Sequence, residues 1–204
     1  MYASSSSVYG DNMRFPQVET MRPSPLSPYA VSKLSGEMYA VVFAKTFGLE
    51  TVSLRYFNVF GPRQHPDSQY AAVIPKFMQS VLAEEPLEVH WDGRQSRDFT
   101  YIENVVQANL LAAQAPRASG EMFNIACGKS MSLLDIIRQL EKIVGHPLER
   151  KHSPQRSGDV RRTWANIGKA HRLLKYKPMV SVPDGLKKTW HWFKLTQSKI
   201  GASV

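Results

Sequence analysis

Tyr29 and Lys33 stand four residues apart in the run Ser27-Pro28-Tyr29-Ala30-Val31-Ser32-Lys33. On a helix that spacing puts both side chains on one face. A free phenol titrates near 10 and is a poor base at neutral pH. An ammonium beside it favours the phenolate and lowers that value, so the pair could take a proton from a substrate hydroxyl. The plain alternative is a packed Tyr and a solvated Lys, and the spacing alone does not choose between them.

Upstream lies a serine cluster, Ser4-Ser5-Ser6-Ser7-Val8-Tyr9-Gly10. Hydroxyls at a strand end can aim at a ligand and relay protons; otherwise the cluster is a polar turn. Three further stretches carry arginine: Arg55-Tyr56-Phe57-Asn58-Val59-Phe60-Gly61-Pro62-Arg63, Gly93-Arg94-Gln95-Ser96-Arg97-Asp98-Phe99 and Arg156-Ser157-Gly158-Asp159-Val160-Arg161. Taken singly, each Arg reads as a surface charge. Guanidinium also grips phosphate through two parallel bonds, and a carboxylate such as Asp159 can accept two ribose hydroxyls.

Residues 1–4 read as a strand end, and the Pro-rich stretch 10–26 as a loop. Ser27 can cap a helix whose first turn accepts Pro28, and Gly48 can stop it after Phe47. Thr51 to Tyr56 reads as a buried strand entering the Gly61-Pro62 turn. Further helices are expected over 71–83, 103–115, 132–144, 168–175 and 183–196. Further strands are expected at 87–90 and 122–126, with another at 99–102. Alternating strands and helices give an α/β fold with parallel pairing, and the third stretch exits a strand, where such sheets bind ligands.

The 204 residues carry 43% hydrophobic content, enough for a sizeable core. The net charge of +9 admits anionic ligands, but the basic residues are scattered, which argues against nucleic acid. The densest basic group, Arg150, Lys151, His152, Arg156, Arg161 and Arg162, reads as solvated surface with a few residues left for a phosphate pocket. No membrane span or metal site is read from the chain. The single cysteine, Cys127, cannot close an internal disulfide, which favours a reducing, cytoplasmic setting.

In this order and spacing the five stretches resemble the extended short-chain dehydrogenase/reductases, the NAD-dependent epimerase/dehydratase family that acts on nucleotide sugars. The likeness runs to about Phe193. Tyr70 to Lys76 and Tyr101 to Asn109 draw it towards the UDP-N-acetylglucosamine 4-epimerases, which also take N-acetylated uronic acids. The resemblance implies the C-terminal portion of a Rossmann-type parallel sheet plus a smaller α/β substrate-binding domain. Residues 1–60 would belong to the NAD-binding domain and 61–204 mainly to the substrate domain, with 98–127 returning to the first.

It also implies roles. Tyr29 is the active-site base, and Lys33 holds the nicotinamide ribose and lowers the phenol's pKa. Ser5 is the active-site hydroxyl, with Ser4 and Ser6 lining the same pocket, Ser4 on the cofactor side. Tyr56 lies near the nicotinamide. Asn58 contacts the sugar diphosphate, Ala72 and Val73 sit against uracil, and His90 is placed to stack on it. Arg97 and Arg156 clamp the diphosphate, and Asp159 holds the uridine ribose. Thr163, four residues after Asp159, gates the sugar pocket, and its small side chain admits a 2-acetamido group.

The implied reaction is C4 oxidation, rotation of the 4-keto sugar about its diphosphate tether, and re-reduction on the other face. A dehydratase of the same family is the alternative on reaction type. The serine turn, however, lacks the acid that elimination would want. Two departures stand out. The family's Gly-Asp-Gly turn is Trp91-Asp92-Gly93 here, which demands a different turn and could alter the nucleotide pocket. The 12 glycines contain no G-x-G-x-x-G or G-x-x-G-x-x-G run, which normally binds the NAD pyrophosphate at a helix N-terminus. The expectation is therefore a piece of a functional epimerase, its NAD-binding half lost or supplied by another chain. A non-catalytic UDP-sugar binding remnant and a basic interaction protein are the rivals. A homodimer would pair through helices 27–47 and 103–115.

Overall fold

The computed structural model describes residues 1–65, 73–155 and 160–201, with side chains in the last helix described to 196. Strand β1 (Tyr2–Ser5) runs through a 3-10 turn (Ser6–Tyr9) and a loop into helix α1 (Pro28–Phe47). Then follow β2 (Val52–Tyr56), β3 (Val59–Phe60), α2 (Val73–Leu82), β4 (Leu87–His90), β5 (Ser96–Arg97) and β6 (Thr100–Tyr101). The remainder is α3 (Ile102–Gln114), β7 (Glu121–Ile125), β8 (Met131–Ser132), α4 (Leu133–Val144), β9 (Arg150–Ser153), α5 (Gly168–Leu174) and α6 (Val182–Gly201).

Local chemistry sets the helix ends. The Ser27 hydroxyl accepts from Ala30 N at 3.1 Å, a cap of about 1 kcal/mol, and Gly48 closes α1 in the left-handed region. Ser132 and Asp135 form a reciprocal capping box on α4, and Gly145 ends it.

The fold is α/β. Strands β1, β2 and β7 form one parallel sheet in the order β1-β2-β7. Side chains alternate across it. Ser4 and Arg55 face α1 through Glu37. Leu54 packs on the other face with Val105 and Ala108 of α3, Phe123 of β7 and Leu174 of α5. A second core joins α2, α4 and α6 to β4, which pairs in parallel with β9. On the outer edge of β7, Glu19 accepts from Asn124 N at 2.9 Å and Lys169 donates to Met122 O at 2.8 Å. Charged side chains thereby occupy the edge groups that another strand would seek.

One expectation needs correction. Helices α1 and α3 lie on opposite faces of the sheet, because Arg55 points to α1 and Tyr56 to Asn109 of α3. Neighbouring residues of a strand face opposite ways, so the two helices do not share one pairing surface. The outward side of α1 exposes Val31, Met38, Tyr39, Val42 and Phe47.

Candidate functional site

The C-terminal ends of β1 and β2 put Ser5 and Tyr56 in register as strand partners. Helix α1 starts beside them. Gly36 permits the approach, since a side chain there would collide with the Tyr2 ring. Lys33 Nζ donates to Ala3 O at 2.9 Å and lies 5.5 Å from the Tyr29 ring centroid. The ammonium and the phenol thus share the α1 face beside β1, and Tyr29 remains 41% exposed. Ser5 Oγ accepts from Ser7 N at 3.2 Å, which starts the 3-10 turn that presents Ser6. Tyr56 donates to Asn109 Oδ1 at 3.0 Å, and burial raises its pKa.

Ser4 does not line the opening as expected. It is buried, and its hydroxyl donates to Glu37 Oε1 at 2.5 Å. The alternation of β1 sends Ser4 to the α1 face and Ser5 to the other.

Behind the serine turn lies a buried polar network that sequence reasoning missed. Glu37 receives Arg55 Nε and Nη2 at 2.8 and 2.7 Å. Arg55 Nη1 donates to the Tyr9 hydroxyl at 2.9 Å, which donates to Asn124 Oδ1 at 2.7 Å. Burial pushes the Tyr9 phenol up to about 12 despite Arg55, and the bonds from Glu37 hold Arg55 above its ordinary value against desolvation. The network fastens α1, β1, β2 and the serine turn together. The signal was present: Glu37 follows Lys33 by four residues, and Arg55 interrupts an apolar strand.

A second cluster gathers Asn58, Thr163 and Asp98. Thr163 donates to Asn58 Oδ1 at 2.8 Å and accepts from Asp98 N at 3.3 Å. Asn58 holds φ 34° just past the end of β2. Asp98 is fully buried, and its oxygens accept from Cys127 N and Ala165 N at 2.9 and 3.2 Å. Burial pushes this carboxyl up to about 7, against the pull of the backbone N–H groups. Arg97, next in the chain, is buried on β5, and Nη1 donates to Ser96 O at 2.9 Å. The chain therefore brings Asn58 and Thr163 into direct contact, with Arg97 adjoining through Asp98.

The remaining expected residues divide. His90 Nδ1 lies 3.1 Å from Pro154 O and Nε2 3.6 Å from Glu88 Oε1, so both ring nitrogens have protein neighbours. Val73 opens α2 and packs against the second core. Ala72, Arg156 and Asp159 lie outside the described residues. Of the basic group, Arg150 pairs with Glu141 at 2.8 Å. Arg161 binds Asp92 and stacks on Trp91, and Arg162 lies over Phe15 and Trp164. These arginines are therefore engaged within the chain rather than merely solvated. No helix among the described residues is long and apolar enough to cross a membrane.

Comparison with known proteins gives concordant matches. The profile of the NAD dependent epimerase/dehydratase family matches residues 1–126. The UDP-N-acetylglucosamine 4-epimerase from Methanobrevibacter ruminantium M1, solved with UDP-N-acetylmuramic acid, superposes with a TM-score of 0.91 at 38% identity. That match covers 96% of this chain and 62% of the other. The UDP-glucuronic acid 4-epimerase from Bacillus cereus, solved with UDP-glucuronic acid and NAD, gives 0.88 at 40% identity over 95% of this chain and 60% of that one. The UDP-glucuronate 4-epimerase of Thermodesulfobacterium geofontis is 34% identical over 94% of this chain, which spans 58% of that relative's length.

Proposed function

The chain belongs to the NAD dependent epimerase/dehydratase family, and from that membership we propose that it forms the acid–base and sugar-nucleotide portion of a UDP-sugar 4-epimerase. The observation that carries this reading is the placement of Lys33. Its ammonium sits 2.9 Å from Ala3 O, within the strand that ends at Ser5, and 5.5 Å from the Tyr29 ring.

An ammonium and a phenol paired on one helix face, beside a strand that ends in a serine hydroxyl, suit the nicotinamide-ribose end of NAD. The 12 glycines offer no glycine-rich turn for its pyrophosphate. When bound, NAD supplies the hydride acceptor and donor. In this reading Tyr29 removes the proton from the sugar's 4-hydroxyl, with Lys33 stabilising the phenolate. Ser5 holds the same oxygen by hydrogen bond. Arg97, with Arg156, anchors the diphosphate while the 4-keto sugar turns, so the intermediate is kept during rotation. Asn58 and Thr163 border the sugar, Ala72 and Val73 the uracil, and Asp159 the ribose.

The sugars proposed are UDP-N-acetylhexosamines or their uronic acids, because Thr163 is small and its hydroxyl is engaged by Asn58 and the Asp98 backbone. The turn from Ser5 to Gly10 contains no acid, which favours epimerisation over dehydration. The second reading is a non-catalytic UDP-sugar binding module that grips the diphosphate through Arg97 and Arg156. Titration of the purified chain with UDP-N-acetylglucosamine by calorimetry tests the shared part. Binding should be lost in Arg97→Ala, and an unchanged affinity would overturn it. NAD fluorescence of the purified protein then separates enzyme from binding module.

A further inference from the structure

Trp91 holds a left-handed backbone conformation, φ 60°, in the region that favours glycine. Bulky residues are strained there. Such strain persists where the surroundings over-determine it, and it gathers at functional sites. The surroundings of Trp91 do so from three directions. Its N–H donates to Ser153 O at 2.8 Å, and its carbonyl lies 2.9 Å from His152 Nδ1. Its indole lies beneath the Arg161 guanidinium, with Cζ 4.2 Å from the ring centroid. The same guanidinium makes two parallel bonds to Asp92, at 3.0 and 2.9 Å. Planarity lets Arg161 stack and bond at once, which an ammonium could not do.

The backbone of Arg161 continues this hold into the candidate site. Arg161 O accepts from Ser96 N at 3.0 Å, and Ser96 O accepts from Thr163 N at 3.0 Å. These bonds lay the segment 160–163 along β5, which carries Arg97, while Thr163 bonds to Asn58.

We propose that Trp91, Asp92 and Arg161 form a latch of positioning residues. It fastens segment 160–163 to the turn between β4 and β5 and keeps Thr163 beside the strand that carries Arg97. The geometry stands alone, and its effect on ligand rests on the reading of the site as a UDP-sugar pocket. Trp91→Gly removes the stack and the backbone strain together. Their effects on global stability offset, so the latch shows itself locally.

Amide hydrogen exchange of the whole chain is the direct test, because the Ser96 and Thr163 amides report the two bonds. In Trp91→Gly both should exchange roughly tenfold faster, with melting within a few degrees of the parent. Trp91→Phe keeps a ring under the guanidinium and should restore slow exchange. Affinity for UDP-N-acetylglucosamine should fall roughly five- to tenfold in Trp91→Gly, the scale of one lost cation–π contact, and recover in Trp91→Phe. Unchanged exchange at Ser96 and Thr163 in Trp91→Gly would overturn the latch. If the parent chain fails to bind the nucleotide sugar, the pocket reading falls, and the exchange measurement still decides the latch.

Discussion

Glu37 of α1 grips Arg55 of β2 with both carboxylate oxygens, at 2.8 and 2.7 Å, and both side chains are almost fully buried. The helix that carries Tyr29 and Lys33 is thereby pinned to the sheet that carries Ser5. In the proposed reaction, this pair would keep the phenol-bearing helix and the serine-bearing strand in fixed relation.

Removing one partner of a buried pair leaves the other charge uncompensated, at a cost of about 3–5 kcal/mol. Glu37→Gln should therefore lower the urea midpoint with an unchanged denaturant slope, and Arg55→Met should do the same. Replacing both by Met should recover much of the loss, since apolar isosteres are tolerated where lone charges are not. A double variant no more stable than either single one would show that charge compensation does not govern this contact.

Tyr29 is 41% exposed, and Tyr29→Phe keeps its ring. Joined to the NAD-binding strands of a relative, the chain should lose turnover by about 10²–10⁴ in Tyr29→Phe. Melting temperature and UDP-sugar affinity should stay at the parent values. Turnover within threefold of the parent would refute the role of the phenol.

Much of this was legible in the sequence because its causes are local. Ser27, Pro28 and Gly48 bracket α1, and Ser132, Asp135 and Gly145 bracket α4, by capping chemistry that acts within a few residues. Strand β9 was not legible. Arg150-Lys151-His152-Ser153 has no apolar alternation, and only pairing with the buried β4 makes it a strand. The two-residue strands β3, β5 and β8 likewise exist only through their distant partners. Four consecutive serines could not reveal that Ser4 turns inward; strand parity sends it to Glu37. Asp98 lies in the Gly93 to Phe99 stretch, yet its environment depends on backbone from 127 and 165, which no local pattern announces.

Thr163 answers to two neighbours through one hydroxyl. Thr163→Val keeps the volume and strips both bonds, leaving Asn58 Oδ1 and Asp98 N unpaired. Each unsatisfied buried group costs about 1–3 kcal/mol, so the melting temperature should fall by several degrees while Thr163→Ser stays near the parent. In the joined protein, Thr163→Tyr should lower kcat/KM for N-acetylated sugars more than for plain hexoses. Equal losses on both classes would mean that Thr163 does not determine specificity.

Asp98 sets a pH signature. Burial raises its carboxyl to about 7 in the folded chain, against about 3.9 when unfolded. Between those values the folded state holds a proton that the unfolded state has lost. Stability from this group is therefore greatest below pH 4 and falls as the pH rises towards 7. Asp98→Asn cannot titrate and has no such slope. It also turns an N–H donor towards the backbone donors of Cys127 or Ala165, which lowers its stability at every pH. The unfolding free energy of the parent minus that of Asp98→Asn should accordingly decline from about pH 4 to pH 7 and level off above about 8. Urea titrations of both proteins at half-unit pH steps measure the difference directly. A difference that rises across that window would mean that the four backbone N–H groups around the carboxylate, from Cys127, Gly128, Lys129 and Ala165, outweigh its burial.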